Sequence, residues 1–254
     1  MFGSAGGLLE YRAAQLATRG IVALALAFFD YEDLPKLQYQ LDLKYFEEAV
    51  QVLLRHPKVL KPSVGVIGVS KGGDLALTMA TFIPEVAAAV SINGCCSVLA
   101  TPTKINREHT IKPLLHDISK IKVINKEICV SLGMNNHPED HPDTIVPIHK
   151  SNAKFLFIVG DSDLNMDSKM YASLDAKLLQ KVGKGGNCEI HVYKGAGHLI
   201  EPPYSSFCPA SYHKVIDFVL AWGGELKAHA QAQEEAWIHM LAFLNKQLRT
   251  QAKL

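Results

Sequence analysis

The stretch Val64 to Leu77, VGVIGVSKGGDLAL, decides the fold. It opens with Val64-Gly65-Val66-Ile67, a short apolar run without polar alternation, as expected of a strand buried on both faces of a parallel sheet. Gly68-Val69-Ser70-Lys71-Gly72 follows, and Gly73 to Ala80 then reads as a helix with one apolar face. Strand, G-x-S-x-G, helix is the pattern of a nucleophile elbow. Its residue types follow from the geometry. The turn is so sharp that its serine occupies a strained backbone region, and side chains at the flanking positions would strike neighbouring elements, hence Gly68 and Gly72. The turn lifts the Ser70 hydroxyl above the sheet and aims the Lys71 backbone N–H, at the positive end of the helix, at the place where an oxyanion would form. A phosphate-binding glycine turn is the competing reading, but the glycine spacing fits neither phosphate-loop pattern.

Outward from this stretch, strands and helices alternate. Leu8 to Arg19 has helical spacing and closes on Gly20. Ile21 to Phe28, IVALALAF, is an uninterrupted apolar run and predicts a buried strand. Asp42 to Arg55 is an amphipathic helix with Phe46, Ala49, Val50, Leu53 and Leu54 on one side. Strands are expected over Val86 to Ile92, Lys154 to Gly160 and Cys188 to Tyr193, and a helix over Asp167 to Val182. Two helices, near Ala210 to Trp222 and Ala228 to Gln247, close the chain. Between about residues 97 and 150 the periodicity decays, and the segment reads as an irregular excursion over the sheet edge. Such alternation means a mostly parallel sheet covered by helices on both faces, in one α/β domain over residues 1–254.

Composition narrows the function. The chain has 254 residues, 48% of them hydrophobic, and a formal charge of +1. The near-zero charge gives no basis for a nucleic-acid or anionic-membrane partner. The cysteines number five and lack C-x-x-C spacing, which suits a reducing compartment. No apolar run has the length of a membrane span. His137 and His141 stand four apart, but Pro138 and Pro142 argue against one helix offering both to a metal, so no metal is expected.

Open parallel sheets place ligands at the carboxyl ends of their strands. There, Asp161-Ser162-Asp163 follows Lys154 to Gly160, and Lys194-Gly195-Ala196-Gly197-His198 follows Cys188 to Tyr193. Serine, aspartate, histidine is the chain order of the α/β-hydrolase fold. In that arrangement His198 takes the Ser70 proton and an aspartate orients the imidazole. Asp161 and Asp163 compete for the acid role, because either suits the cap of the next helix.

Beyond these motifs, the segments MFGSAGGLLEYRA, YEDLPK, YFEEAVQVLL, GVSKGGDL, FLFIVGDSD, GAGHLIEPPY and WGGELKAHAQAQEEAW resemble the acyl-CoA thioesterase and bile acid-CoA:amino acid N-acyltransferase family. The resemblance runs nearly end to end and is weakest around 97–150. It implies an α/β-hydrolase fold, a triad of Ser70, Asp163 and His198, and an acyl-CoA substrate, with coenzyme A entering as part of that substrate and no further cofactor. Serine at the nucleophile favours hydrolysis: an acyl-serine is an ester that water can clear, whereas an acyl-cysteine remains a thioester reactive toward amines. Transfer of the acyl group to taurine or glycine is the second reading, and a catalytically silent chain that binds acyl-CoA or a partner is the third. The oxyanion donors expected are the backbone N–H of Lys71 and one from Gly6 or Gly7.

Family members also carry an N-terminal β-sandwich, and their hydrolase domain begins several strands before the position of Met1. A strand leading into Met1 would lie between segment 21–28 and strand 64–69, so its absence predicts unpaired backbone beside the nucleophile strand. The chain ends in Ala252-Lys253-Leu254, a conservative variant of the Ser-Lys-Leu address read by the peroxisomal import receptor. A peroxisomal location is therefore expected, with a cytoplasmic one as the alternative.

Overall fold

The computed structural model describes residues 1–251 apart from Phe2, Lys61, Ile118, Lys120, Asn125 and 131–135. In chain order the strands are β1 (Leu41–Asp42), β2 (Val64–Val69), β3 (Val86–Ile92), β4 (Thr103–Lys104), β5 (Thr110–Ile111), β6 (Lys122–Ile124), β7 (Glu127–Cys129), β8 (Lys154–Gly160), β9 (Cys188–Tyr193), β10 (Ala210–His213) and β11 (Phe218–Ala221). The helices are α1 (Tyr11–Ala17), α2 (Leu43–Arg55), α3 (Lys71–Phe82), α4 (Ser168–Lys181) and α5 (Leu226–Gln251).

The central sheet is parallel, in the order β2-β3-β8-β9. Its middle strands are predominantly apolar because both of their faces are covered. Every residue of β3 is buried. One face packs against α2 and α3, where Phe46, Leu75, Leu77, Phe155 and Phe157 meet. The other packs against α5, where Val90, Leu156, Ile158, Trp237 and Met240 meet. Asp42 caps α2 by accepting from the Lys44 N–H, and Asp167 caps α4 by accepting from the Met170 N–H.

Two expectations fail. Ile21 to Phe28 forms no strand, and Val22 and Leu24 are each 42% exposed. A strand needs a neighbour to supply its ladder, and across from this segment lies a groove of about 260 Å³ lined by Leu16, Ile21, Leu26, Leu53, Met79 and Leu244. On its far side Met1 pairs with β2: its amino group donates to Ile67 O at 2.8 Å, and the Val69 N–H donates to Met1 O at 3.3 Å.

The second failure is Ala210 to Trp222, which is a β-hairpin rather than a helix. Ala210 pairs with Ala221 and His213 with Phe218. The β-branched and aromatic residues Tyr212, Val215, Ile216, Phe218 and Val219 favour strands, and Asp217 takes the positive φ of 58° that the turn requires. The hairpin joins β7 and β6 in a second sheet. That sheet, the small β1-β4-β5 sheet and short 3₁₀ turns over Pro138–Asp140, Pro142–Thr144 and Ile148–Lys150 give the described residues of the excursion at 97–150 more order than its sequence suggests.

Candidate active site

Ser70 sits between β2 and α3 with φ 56° and ψ −125°. This is a costly backbone conformation for a non-glycine residue, held by the packed strand and helix on either side. The Ser70 N–H donates to Ile92 O at 2.9 Å, which ties the turn to the neighbouring strand. A Cβ at Gly68 would stand 1.7 Å from Gly72 O, so only glycine permits the turn. Lys71 is the first residue of α3, and its N–H is among the helix-start donors that have no intrahelical partner.

Asp163 lies just past β8 and His198 just past β9, both at the carboxyl end of the sheet. His198 Nδ1 is 2.8 Å from Asp163 Oδ2, with side-chain exposures of 0% and 2%. The same Oδ2 accepts from Ser168 Oγ at 2.9 Å, and Oδ1 accepts from the Asn165 and Met166 N–H groups at 2.7 and 2.9 Å. Asp163 is thus fully hydrogen-bonded, with its charge directed at the imidazole. Asp161 is used elsewhere: its Oδ1 accepts the Gly195 N–H at 2.6 Å and pins the start of the histidine loop. With Nδ1–H donating to Asp163, His198 Nε2 carries the lone pair, and it has no hydrogen-bond partner among the described residues.

The histidine loop is clamped by residues the sequence did not single out. Asn93, fully buried after β3, donates from Nδ2 to Gly197 O at 3.0 Å and His198 O at 2.7 Å, and its Oδ1 accepts the Gly160 N–H at 2.8 Å. One amide therefore joins three strand ends, although Asn93-Gly94 reads locally as a turn. Trp222, at the foot of the hairpin, stacks on His198 with centroids 5.5 Å apart, and its carbonyl accepts the His198 N–H at 2.8 Å. His229 accepts the Gly197 N–H and bonds Leu199 O. Glu201 forms an ion pair with Arg12 of α1, bringing the N-terminal segment against the same loop.

The first loop meets Ser70 at Gly3. A Cβ on Gly3 would lie 2.9 Å from Ser70 Cβ and 3.2 Å from Oγ. The Gly7 N–H donates to Phe29 O at 3.0 Å, so it is not free to face an oxyanion at Ser70, and a Cβ on Gly6 would point at Phe29 and Asp30. The residue of this loop that stands against Ser70 is therefore Gly3, ahead of the Gly6 and Gly7 expected from the sequence, because glycines signal freedom of the backbone and not its direction.

Beneath Ser70, Lys71 Nζ bonds Asp74 Oδ1 at 3.0 Å with both side chains buried, and Asp74 Oδ2 accepts the Leu99 N–H at 3.1 Å. Burial pushes the Asp74 carboxyl up to about 6 against the opposing pull of Lys71. No group of three or more metal-ligating side chains is present among the described residues. Nor is any described helix long and apolar enough to cross a membrane.

This sheet, elbow and acid–histidine pair have the arrangement of the α/β-hydrolase fold. Solved structures agree on the fold: the α/β hydrolase GrgF from Penicillium sp. sh18 (TM-score 0.53, 14% identity, 98% of this chain and 88% of that one) and a dienelactone hydrolase-like promiscuous phosphotriesterase from metagenomic libraries (TM-score 0.53, 18% identity, 97% and 84%). Residues 41–250 match the model of the "BAAT / Acyl-CoA thioester hydrolase C terminal" family, and the chain belongs to that family. Among curated relatives, acyl-coenzyme A thioesterase 1 of Homo sapiens is 43% identical, covering 98% of this chain and 59% of the relative. The peroxisomal succinyl-coenzyme A thioesterase of Mus musculus is 42% identical, and acyl-coenzyme A amino acid N-acyltransferase 2 of Rattus norvegicus 41%, with the same coverages of 98% and 59%. The chain thus spans 59% of the length of these relatives.

Proposed function

We propose that the chain hydrolyses acyl-CoA thioesters to free acid and coenzyme A. The observation that carries the reading is the buried 2.8 Å contact of His198 Nδ1 with Asp163, which leaves Nε2 without a partner among the described residues, together with a strained Ser70 at the carboxyl end of the same parallel sheet. His198 Nε2 accepts the Ser70 proton as Oγ attacks the thioester carbonyl. The tetrahedral oxyanion is held by the Lys71 N–H and a donor from the Gly3 loop. Its collapse expels the CoA thiolate, which takes the proton from His198. Water, deprotonated by the same nitrogen, then clears the acyl-serine. Asp163 holds the imidazole in the required tautomer and stabilises the imidazolium. The scheme uses no cofactor beyond the coenzyme A of the substrate.

The test is release of free thiol from palmitoyl-CoA, run with and without taurine, with products identified by mass and Ser70→Ala alongside. Free fatty acid that disappears in the alanine variant, a loss of about 10³-fold or more, supports hydrolysis. A taurine conjugate would move the chain to the N-acyltransferase reading that some of its relatives' names carry. No turnover from a cooperatively folded chain would leave acyl-CoA binding alone. A peroxisomal relative supports a peroxisomal location, whereas another named relative is mitochondrial. The Ala252-Lys253-Leu254 signal lies outside the described residues. A fluorescent fusion to the amino terminus, compared with one lacking the last three residues, tests it.

A further inference from the structure

Ser4 and His213 have no part in the scheme above, yet they adjoin it. Ser4 follows Gly3, which is pressed against Ser70. His213 ends β10 and is only 5% exposed, and its Nε2 lies 3.1 Å from Ser4 Oγ. The other ring nitrogen faces a donor as well, since the Ile216 N–H is shared between the His213 carbonyl at 3.1 Å and Nδ1 at 3.3 Å. That acceptor role places the neutral ring's proton on Nε2, which therefore donates to Ser4 Oγ. The Ser4 hydroxyl accepts this bond and keeps its own proton to give, while Ser4 itself is exposed. A hydroxyl whose lone pair is engaged by an N–H is a better donor, because successive hydrogen bonds polarise one another.

We propose that Ser4 is a further catalytic residue, its hydroxyl donating to the acyl oxygen as that oxygen gains charge, and that His213 is the positioning residue that aims it. The inference rests on the reading of Ser70 as nucleophile. Burial, reinforced by Lys214, holds the His213 ring below its ordinary pKa, which keeps Nδ1 able to accept. The hairpin makes the arrangement rigid. Trp222 at its foot stacks on His198 and also lies 6.3 Å from His213, so one indole sets the places of both imidazoles. At the hairpin's tip Lys214 forms an ion pair with Asp30, closing it over the loop that carries Ser4. A donor of this kind acts on the transition state more than on the bound substrate, so it raises kcat.

The test measures palmitoyl-CoA hydrolysis and the rate at which a fluorophosphonate probe labels Ser70, for Ser4→Ala, His213→Phe, His213→Gln, the Ser4→Ala/His213→Phe double variant and Ser70→Ala. Ser4→Ala and His213→Phe are each expected to lower kcat and labelling about 10- to 100-fold with KM within about twofold. The double variant should be no worse than the poorer single one. His213→Gln, whose amide nitrogen reaches near the Nε2 position, should recover most of the rate. Labelling at the wild-type rate by Ser4→Ala overturns the inference, and because Ser4 is exposed this variant tests it even where His213→Phe fails to fold. Multiplying losses in the double variant, or a glutamine variant as poor as phenylalanine, reduce His213 to a packing role. Labelling of Ser70→Ala equal to wild type sinks the nucleophile reading itself, a result separable from every other.

Discussion

Replacing Lys71 with methionine tests the buried Lys71–Asp74 pair that follows Ser70 in α3. Methionine keeps the length of the side chain and removes the ammonium. Asp74 is then left with the Leu99 N–H as its one partner in a fully buried place. In the wild type burial pushes its carboxyl up to about 6, with Lys71 pulling the other way. Without Lys71 the opposing pull disappears and the folded chain holds the proton to higher pH. The sign follows from linkage. The unfolded carboxyl ionises in the ordinary range, so a folded state that keeps its proton loses stability as pH rises, by about 1.4 kcal/mol per pH unit. Above pH 6 the wild type is ionised in both states and no longer changes through this group. The two stability curves should therefore run close together at pH 5 and separate to about 3 kcal/mol by pH 8. This lies at the low end of the roughly 3–5 kcal/mol found when one partner of a buried pair is removed. Urea unfolding followed by circular dichroism at pH 5 and pH 8 reads the difference, and Lys71→Met/Asp74→Asn should bring most of it back. A loss equal at both pH values would refute the electrostatic argument and leave only lost packing.

Three further outcomes follow from the same structure. Asp175 is buried on α4 with neither carboxylate oxygen hydrogen-bonded among the described residues, and burial raises its pKa well above the ordinary range; Asp175→Asn should raise the melting temperature at pH 8 and leave it nearly unchanged at pH 4, since each pH unit of retained proton costs about 1.4 kcal/mol. Gly68→Ala should remove soluble, cooperatively folding protein, because its Cβ would stand 1.7 Å from a backbone oxygen that the buried strand and helix hold in place; a variant that melts within a few degrees of wild type would contradict the elbow geometry. Leu156→Ala, in the 1% exposed middle of β8, should cost about 2–5 kcal/mol in urea unfolding without altering the fluorophosphonate labelling of Ser70 in the fraction that remains folded.

How much was legible depends on whether the signal was local. The strands over 86–92 and 154–160 form at the residues their apolar runs indicate, because burial on both faces writes itself into composition, whereas the largely exposed edge strand over 188–193 is marked by its β-branched and aromatic residues Ile190, Val192 and Tyr193. Asp42 and Asp167 announce their helices through cap chemistry confined to a few residues. The run over 21–28 carried the same apolar signal and misled, because composition reports the wish to be buried but not whether a neighbouring strand stands ready to pair. The segment 210–222 misled differently: its apolar residues fit a helix, and only pairing of Ala210 with Ala221 across the turn makes it a hairpin.

The sequence by itself determined the elbow. A serine between two glycines, after a buried strand and before a helix, has the residue types that a nucleophile elbow needs, and the order of Ser70, the aspartates and His198 along the chain narrowed the partners. The tertiary structure decided everything that depends on direction. It turned Asp163 and Asp161 to different partners, since two carboxylates two residues apart leave the same turn pointing different ways, one to His198 Nδ1 and one to the Gly195 N–H. It engaged the Gly7 N–H on Phe29 and put Gly3 against Ser70. It also brought Asn93, Trp222 and His213 to the site from distant parts of the chain. Spacing encodes which residues share a face of one element, and only the packing of elements against one another fixes where a side chain ends.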